Sequence, residues 1–316
     1  MRRKSILALF SVLFLAHFFA GAQSYKLPYQ IVYTVFQPDS TGSNWDIRLV
    51  SMDGQNNRTI LQNKDMAFAY ASNDSCIFYA SDFQHTKGVF QLFEWNKNNL
   101  QSRLISPLEI YDGPICQLSP DTLLVATRPT NIQRSVLVAM NIKTGKYREW
   151  LVLPGMHVTE PTLSPSKNAL AFVGRKAKPS PYSETELYRY DLSTKKIQQL
   201  TFHDTSTKAK IKEGFTVGAP KWHPSGEFIS YVSQQKDLTK IYRISPDGTA
   251  EKQLFITTNS VGWHSWSEDG KWLVYQESDP LGKQFHIYLK KWPDGIPYRL
   301  TDSEYRIQLG PVFIKN

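Results

Sequence analysis

A divalent cation needs imidazoles and carboxylates that converge, and an acidic partner needs clustered Lys and Arg. This 316-residue sequence offers candidates for both. Glu109, Asp112, His157, Glu160 and His264 carry the ligand types for the first. No short ligand spacing joins them, so only folding could gather them. Arg175, Lys176 and Lys178 form one basic run and Lys208, Lys210 and Lys212 another, a pattern suited to an acidic polysaccharide or an anionic protein surface. Familiar catalytic signatures are missing: there is no Gly-x-Ser-x-Gly elbow, no phosphate-cradling glycine loop and no His-Glu-x-x-His. Ser267-Glu-Asp-Gly270 resembles a sialidase aspartate box only superficially, because its glycine falls one residue early.

The chain opens with Arg2, Arg3 and Lys4, then an apolar stretch from Ser5 to Phe19 and a small-x-small pattern at Ala20-Gly21-Ala22. This predicts a signal peptide over 1–22, since the apolar run is shorter than a spanning helix requires. The mature chain, 23–316, then begins at Gln23 as an exported soluble protein. Losing three basic residues from the 37 leaves it at about +6. Its charges are mixed along the chain rather than gathered in a basic stripe, which argues against nucleic acid as partner. With Cys76 and Cys116 the only cysteines, a large aromatic core rather than disulfides must hold the fold, and both are expected as buried free thiols.

The elements that must position these residues repeat. Ala219–Ser233 and Trp263–Glu277 share a short strand, a turn and a second, aromatic-rich strand. Weaker copies run from Gly113, from Glu160 and from Phe68. Each is followed by an alternating third strand, as at Lys240–Ile244 and His286–Leu289, then by a tight turn. Asp53-Gly54, Asp247-Gly248, Asp294-Gly295, Thr144-Gly145 and Ser193-Thr194 fill those turns with residues that tolerate positive φ. Short fourth strands follow at Arg103–Ile105, Gln199–Thr201, Gln253–Phe255 and Arg299–Thr301.

Taking Phe68, Pro114, Pro161, Pro220, His264 and Pro311 as equivalent gives spacings of 46, 47, 59, 44 and 47 residues. Four strands at that period describe a propeller blade, so the predicted fold class is all-β, a six-bladed β-propeller. The mature chain opens directly in a second-type strand, Gln30–Val35, and ends in a first-type strand, Gly310–Lys315. The C-terminal strand is therefore expected to complete the N-terminal blade and close the ring.

The unit Pro220-Lys-Trp-His-Pro-Ser-Gly226, with Trp266-Ser-Glu-Asp-Gly-Lys271 and Arg299-Leu-Thr301, resembles the repeats of TolB-like propellers over essentially the whole mature chain. The resemblance implies the fold but no particular ligand. Members with an additional α/β domain carry it ahead of the propeller, where this mature chain is expected to have only six residues.

Alternating connections place the loops between second and third strands, and those between blades, on one face. The two basic loops stand there together. His157, Glu160, Glu109, Asp112, Trp263, His264, Tyr305 and Arg306 are expected around the mouth of a central channel on that face. The leading expectation is a periplasmic or secreted, monomeric binding or scaffold module for a protein or glycan of the cell envelope, without a cofactor. The alternative is a carbohydrate-active enzyme of the metal-assisted polysaccharide lyase type, with a divalent cation at the channel mouth.

Overall fold

The structure is a computed structural model that describes residues 28–39, 42–62, 65–128, 134–176, 184–203, 217–235 and 238–316. The predicted signal peptide and Lys178, Lys208, Lys210 and Lys212 lie outside these residues. The described residues form 24 strands and no helix, so none is long and apolar enough to cross a membrane.

Strands β1 (Tyr29–Asp39), β2 (Gly42–Ser51) and β3 (Arg58–Leu61) form an antiparallel meander that also takes in β24 (Ile307–Lys315) on the far side of β1. The next group is β4 (Ala67–Ser72), β5 (Cys76–Ser81), β6 (Phe90–Asn96) and β7 (Gln101–Ile110), followed by β8 (Cys116–Ser119), β9 (Thr122–Thr127), β10 (Val136–Asn141) and β11 (Tyr147–Leu151). A single pair, Ile110 with Thr127, joins these two groups into one eight-stranded sheet. Two separate four-stranded sheets come next: β12 (Met156–Leu163), β13 (Ala169–Lys176), β14 (Glu186–Asp191) and β15 (Ile197–Gln199), then β16 (Val217–Trp222), β17 (Ile229–Gln235), β18 (Leu238–Ile244) and β19 (Lys252–Gln253). Last come β20 (Val261–Trp266), β21 (Trp272–Ser278), β22 (Phe285–Lys291) and β23 (Tyr298–Arg299), joined to β24 through Phe285 and Ile307.

Side chains of a strand alternate between its two faces, and here both faces are core. In β1, Ile31, Tyr33 and Val35 pack with Val274, Ile287 and Leu289, whereas Val32 packs with Ala67, Ala69, Ile77 and Tyr79. Phe78 and Ala80 face Leu123 and Val125, while Leu124 and Ala126 face Leu170 and Phe172. Ala169 and Ala171 meet Ile229 and Tyr231, and Val232 meets Leu273 and Tyr275. Burial on both faces is why the second strands read as near-continuous apolar runs.

Strands β12, β16, β20 and β24 share a bulge. Thr159 pairs with Val173 and Thr162 with Ala171, so Glu160 and Pro161 together oppose Phe172. Ala219-Pro220, Gly262-Trp263 and Gly310-Pro311 oppose Tyr231, Gln276 and Tyr33 in the same way. Proline suits a bulge because it gives no N–H to the ladder. Glu160, Ala219 and Gly310 take positive φ there, at 51°, 49° and 61°. The register therefore makes Trp263, rather than His264, the equivalent of Pro161, Pro220 and Pro311.

The turn signals are largely obeyed: Gly54, Gly145 and Gly248 have positive φ, and in the Ser193-Thr194 turn that role passes to Lys195. Gly295 does not share it. The last fourth strands end sooner than their sequences indicate. After Gln199 and Arg299 the ladder gives way to one backbone bond each, from Leu200 to Leu187 and from Leu300 to Ile287, and then the hydroxyls of Thr201 and Thr301 accept the N–H of Leu187 and Ile287. Cys76 and Cys116 are free thiols.

Candidate functional site

On the side where the inner strands begin, β12 and β13 set His157 opposite Arg175. Arg128 leaves the end of β9 and Arg134 enters β10 beside them. His157 Nδ1 accepts the N–H of Ser135 at 3.1 Å. Burial, then the charges of Arg175, Arg128 and Arg134, push the His157 pKa below its usual value and keep it neutral. Among the described residues no carboxylate lies within ion-pair distance of these three arginines, and Arg134 Nε is buried without a hydrogen-bond partner. Lys176 stands exposed at the end of β13. A neutral imidazole and an uncompensated trio of guanidiniums can hold an anion there.

Deeper in, the acidic candidates serve the joints between sheets. Glu160 Oε2 accepts the Ala219 N–H of the next sheet at 2.5 Å, and its Cγ lies under Gly113, which has no side chain to obstruct it. Asp112 accepts the Tyr70 hydroxyl at 2.5 Å. Desolvation raises both carboxyls, Glu160 to about 7 against the opposing pull of the Ala219 N–H and Lys221, and Asp112 against that of the Tyr70 hydroxyl. Glu109 turns outward, 3.9 Å from His85.

His264 is buried, with Nε2 2.7 Å from Ser230 Oγ, which also accepts Trp266 Nε1–H at 2.9 Å. Burial first and Lys221 second bring its pKa down to about 3, so it is a neutral packing histidine. His223 plays a similar part: it stacks on Phe228 with ring centroids 4.5 Å apart, and its Nε2 reaches the Gly270 carbonyl at 3.1 Å. A Cβ at Gly270 would come within 2.9 Å of that ring, which explains the glycine of the Ser267-Glu-Asp-Gly turn.

Trp263 crosses over Gly310 to rings of β4, with centroids 6.2 Å from Phe68 and 6.3 Å from Tyr70. Tyr305 is held away by Arg48, which donates to its hydroxyl at 2.8 Å and lies 4.8 Å over its ring, and Arg306 is exposed. The structure thus gathers His157 and Arg175 with Arg128 and Arg134, and assigns Glu160, Asp112, Trp263, His264 and Tyr305 to packing between elements. Among the described residues no three His, Cys, Asp or Glu side chains come close enough to share a metal ion.

A cavity of about 750 Å³ opens on the opposite side, where the hairpin turns lie. Tyr70, Cys116, Lys221, Ser265, Trp266 and Phe313 line it, and none of the eight binding candidates among the described residues does. Lys221 was legible only as the variable residue after Pro220; which way it points depends on the bulge.

No family model and no curated protein matches the sequence. Solved structures do match. TolB from Acinetobacter baumannii aligns with a TM-score of 0.68 at 17% identity, over 90% of this chain and 66% of that one. This chain therefore spans just under two thirds of that protein's length. A putative TolB from Agrobacterium tumefaciens aligns at 0.57 and 12% identity, over 91% and 99%. A chain of a nidogen/laminin complex aligns at 0.60 and 8% identity, over 90% and 98%. At such identities the likeness concerns the fold alone. With the repeated antiparallel sheets, it shows a fold like that of the TolB β-propellers.

Proposed function

We propose that the chain is an exported six-bladed propeller, its ring closed by β24, which acts as a binding module for an acidic partner in the cell envelope. The ring is supported by its core clusters, each shared by units that follow one another in sequence, while one joins β21 and β22 to β1. Export rests on the pattern of residues 1–22. The binding role is carried by one observation: Arg128, Arg134 and Arg175 surround a neutral His157 on the long-loop side without a paired carboxylate among the described residues. Like charges held together cost energy that an anion returns.

The test uses the mature protein from Gln23 and two polyanions, labelled poly-glutamate and polygalacturonate, followed by fluorescence anisotropy at two salt concentrations. Binding should weaken with salt. It should fall at least about tenfold in the double variant Arg128→Glu/Arg175→Glu, since each arm loses charge-assisted hydrogen bonds. Unchanged affinity for both polyanions in that variant would remove the mouth from the function.

A further inference from the structure

The turn-side cavity is walled mainly by satisfied or apolar groups. The Tyr70 hydroxyl is given to Asp112, Trp266 Nε1 to Ser230, the Ser72 hydroxyl to the Phe313 carbonyl and the Gln117 amide to the Pro120 carbonyl. At the rim, Lys315 is held between Asp74 at 3.5 Å and Glu268 at 2.5 Å. Lys221 differs. Of the other two lysines that line the cavity, Lys167 is exposed, whereas Lys221 is half-buried, and among the described residues its Nζ has no hydrogen bond and no ion pair.

The carboxyl group that acts on Lys221 most strongly is that of Glu160, already engaged by the Ala219 N–H and raised to about 7, so it is only partly charged at neutral pH. Burial pushes the Lys221 ammonium down, the direction expected for a cation short of a counterion. An unpaired ammonium away from bulk water carries a desolvation cost that an incoming anion removes. One half-buried lysine, with no arginine among the lining residues, matches one negative charge. Aromatic walls and about 750 Å³ of space fit an organic stem, within the size range of small-molecule sites.

We infer that the turn-side cavity is a second ligand site, distinct from the arginine mouth, which takes a small organic carboxylate with its acid on Lys221 Nζ and its apolar stem against Trp266, Tyr70 and Phe313. Cys116 takes no chemical part, since burial pushes its thiol up to about 12. The site is independent of the proposed envelope function.

The experiment titrates the full mature protein with 3-phenylpropionate, with the isosteric 3-phenylpropanamide and with phenethylamine, read by calorimetry and by protein NMR. The acid should bind, with the amide at least about tenfold weaker and the amine not at all, because only the acid forms a charge-assisted hydrogen bond with an ammonium. Lys221→Met should lose about the same factor for the acid while leaving the Arg128 and Arg175 site intact. Reductive ¹³C-methylation of the wild-type lysines gives a reading that does not depend on a variant: the acid should raise the titration midpoint of the Lys221 signal and of no other lysine. Equal binding of acid and amide, retained binding in Lys221→Met, or a Lys221 midpoint that ignores the acid would each overturn the site.

Discussion

Glu160 shows how a residue type can be read from sequence while its employment cannot. Its carboxylate made it a candidate cation ligand, yet the bulge turns it to the Ala219 N–H of the next sheet. Burial makes the charged form costly, hence its rise from an ordinary 4.5 to about 7. A carboxyl whose folded pKa exceeds its unfolded pKa favours folding when protonated, so its contribution is complete below pH 4.5 and is lost as pH rises through about 7. The full shift corresponds to up to ~3 kcal/mol. Glu160→Gln keeps the acceptor for Ala219 and removes the charge. Thermal melts across pH 5 to 8.5 should therefore show the variant matching wild type at the acid end and exceeding it at the alkaline end. A constant difference between the two at every pH would mean that Glu160 does not titrate in this range. His264 makes the same point about legibility: its residue type made it a candidate ligand, and only the Ser230 contact from another sheet makes it a packing residue.

At the level of strands and turns, most of the fold was legible because turn chemistry is local. Gly54, Gly145 and Gly248 were readable from their own residue and its predecessor. Bulges were not, since an extra residue shows only against a partner strand, and the misplacement of His264 for Trp263 by one position follows from that. The fourth strands predicted at Gln199–Thr201 and Arg299–Thr301 were overextended for a related reason: Leu200 and Leu300 are buried, which looks like strand, but the threonines after them have already replaced the ladder. Two glycines of these turns differ in a testable way. Gly226, in the His-Pro-Ser-Gly turn, has φ +78° and open space around it, so Gly226→Ala should cost only the backbone strain of ~1 kcal/mol. Gly145 has φ +68°, and a Cβ there would fall 2.2 Å from the Ile105 carbonyl oxygen, a backbone atom of the preceding unit. Gly145→Ala should therefore cost more than twice as much in urea denaturation. Similar losses for the two would show that the fit between units at Ile105 is looser than its geometry.

For the molecule as a whole, stability hangs on a strand that joins the two ends of the sequence. The backbone of β24 pairs with β1 from Tyr29–Lys315 to Phe36–Ile307, and its two faces feed different cores: Phe313 enters the cluster of Tyr29, Ile31 and Val274, and Ile314 that of Val32, Ile47 and Tyr79. Removing residues 310–316 would leave the edge of β1 from Tyr29 to Val32 unpaired and take a buried aromatic and a buried isoleucine from two clusters at once. Each such truncation costs about 2–5 kcal/mol by itself, against a total stability of about 5–15 kcal/mol for a typical domain. An open strand edge between apolar faces also recruits other chains. The shortened chain should lose its single cooperative transition in calorimetry and elute as oligomers in size-exclusion chromatography. A synthetic peptide of residues 307–316, added in trans, should restore the monomer, because the missing strand is a separable piece of the sheet. A truncated chain that stays monomeric with an unchanged melting temperature would mean that the ring is not closed by this strand.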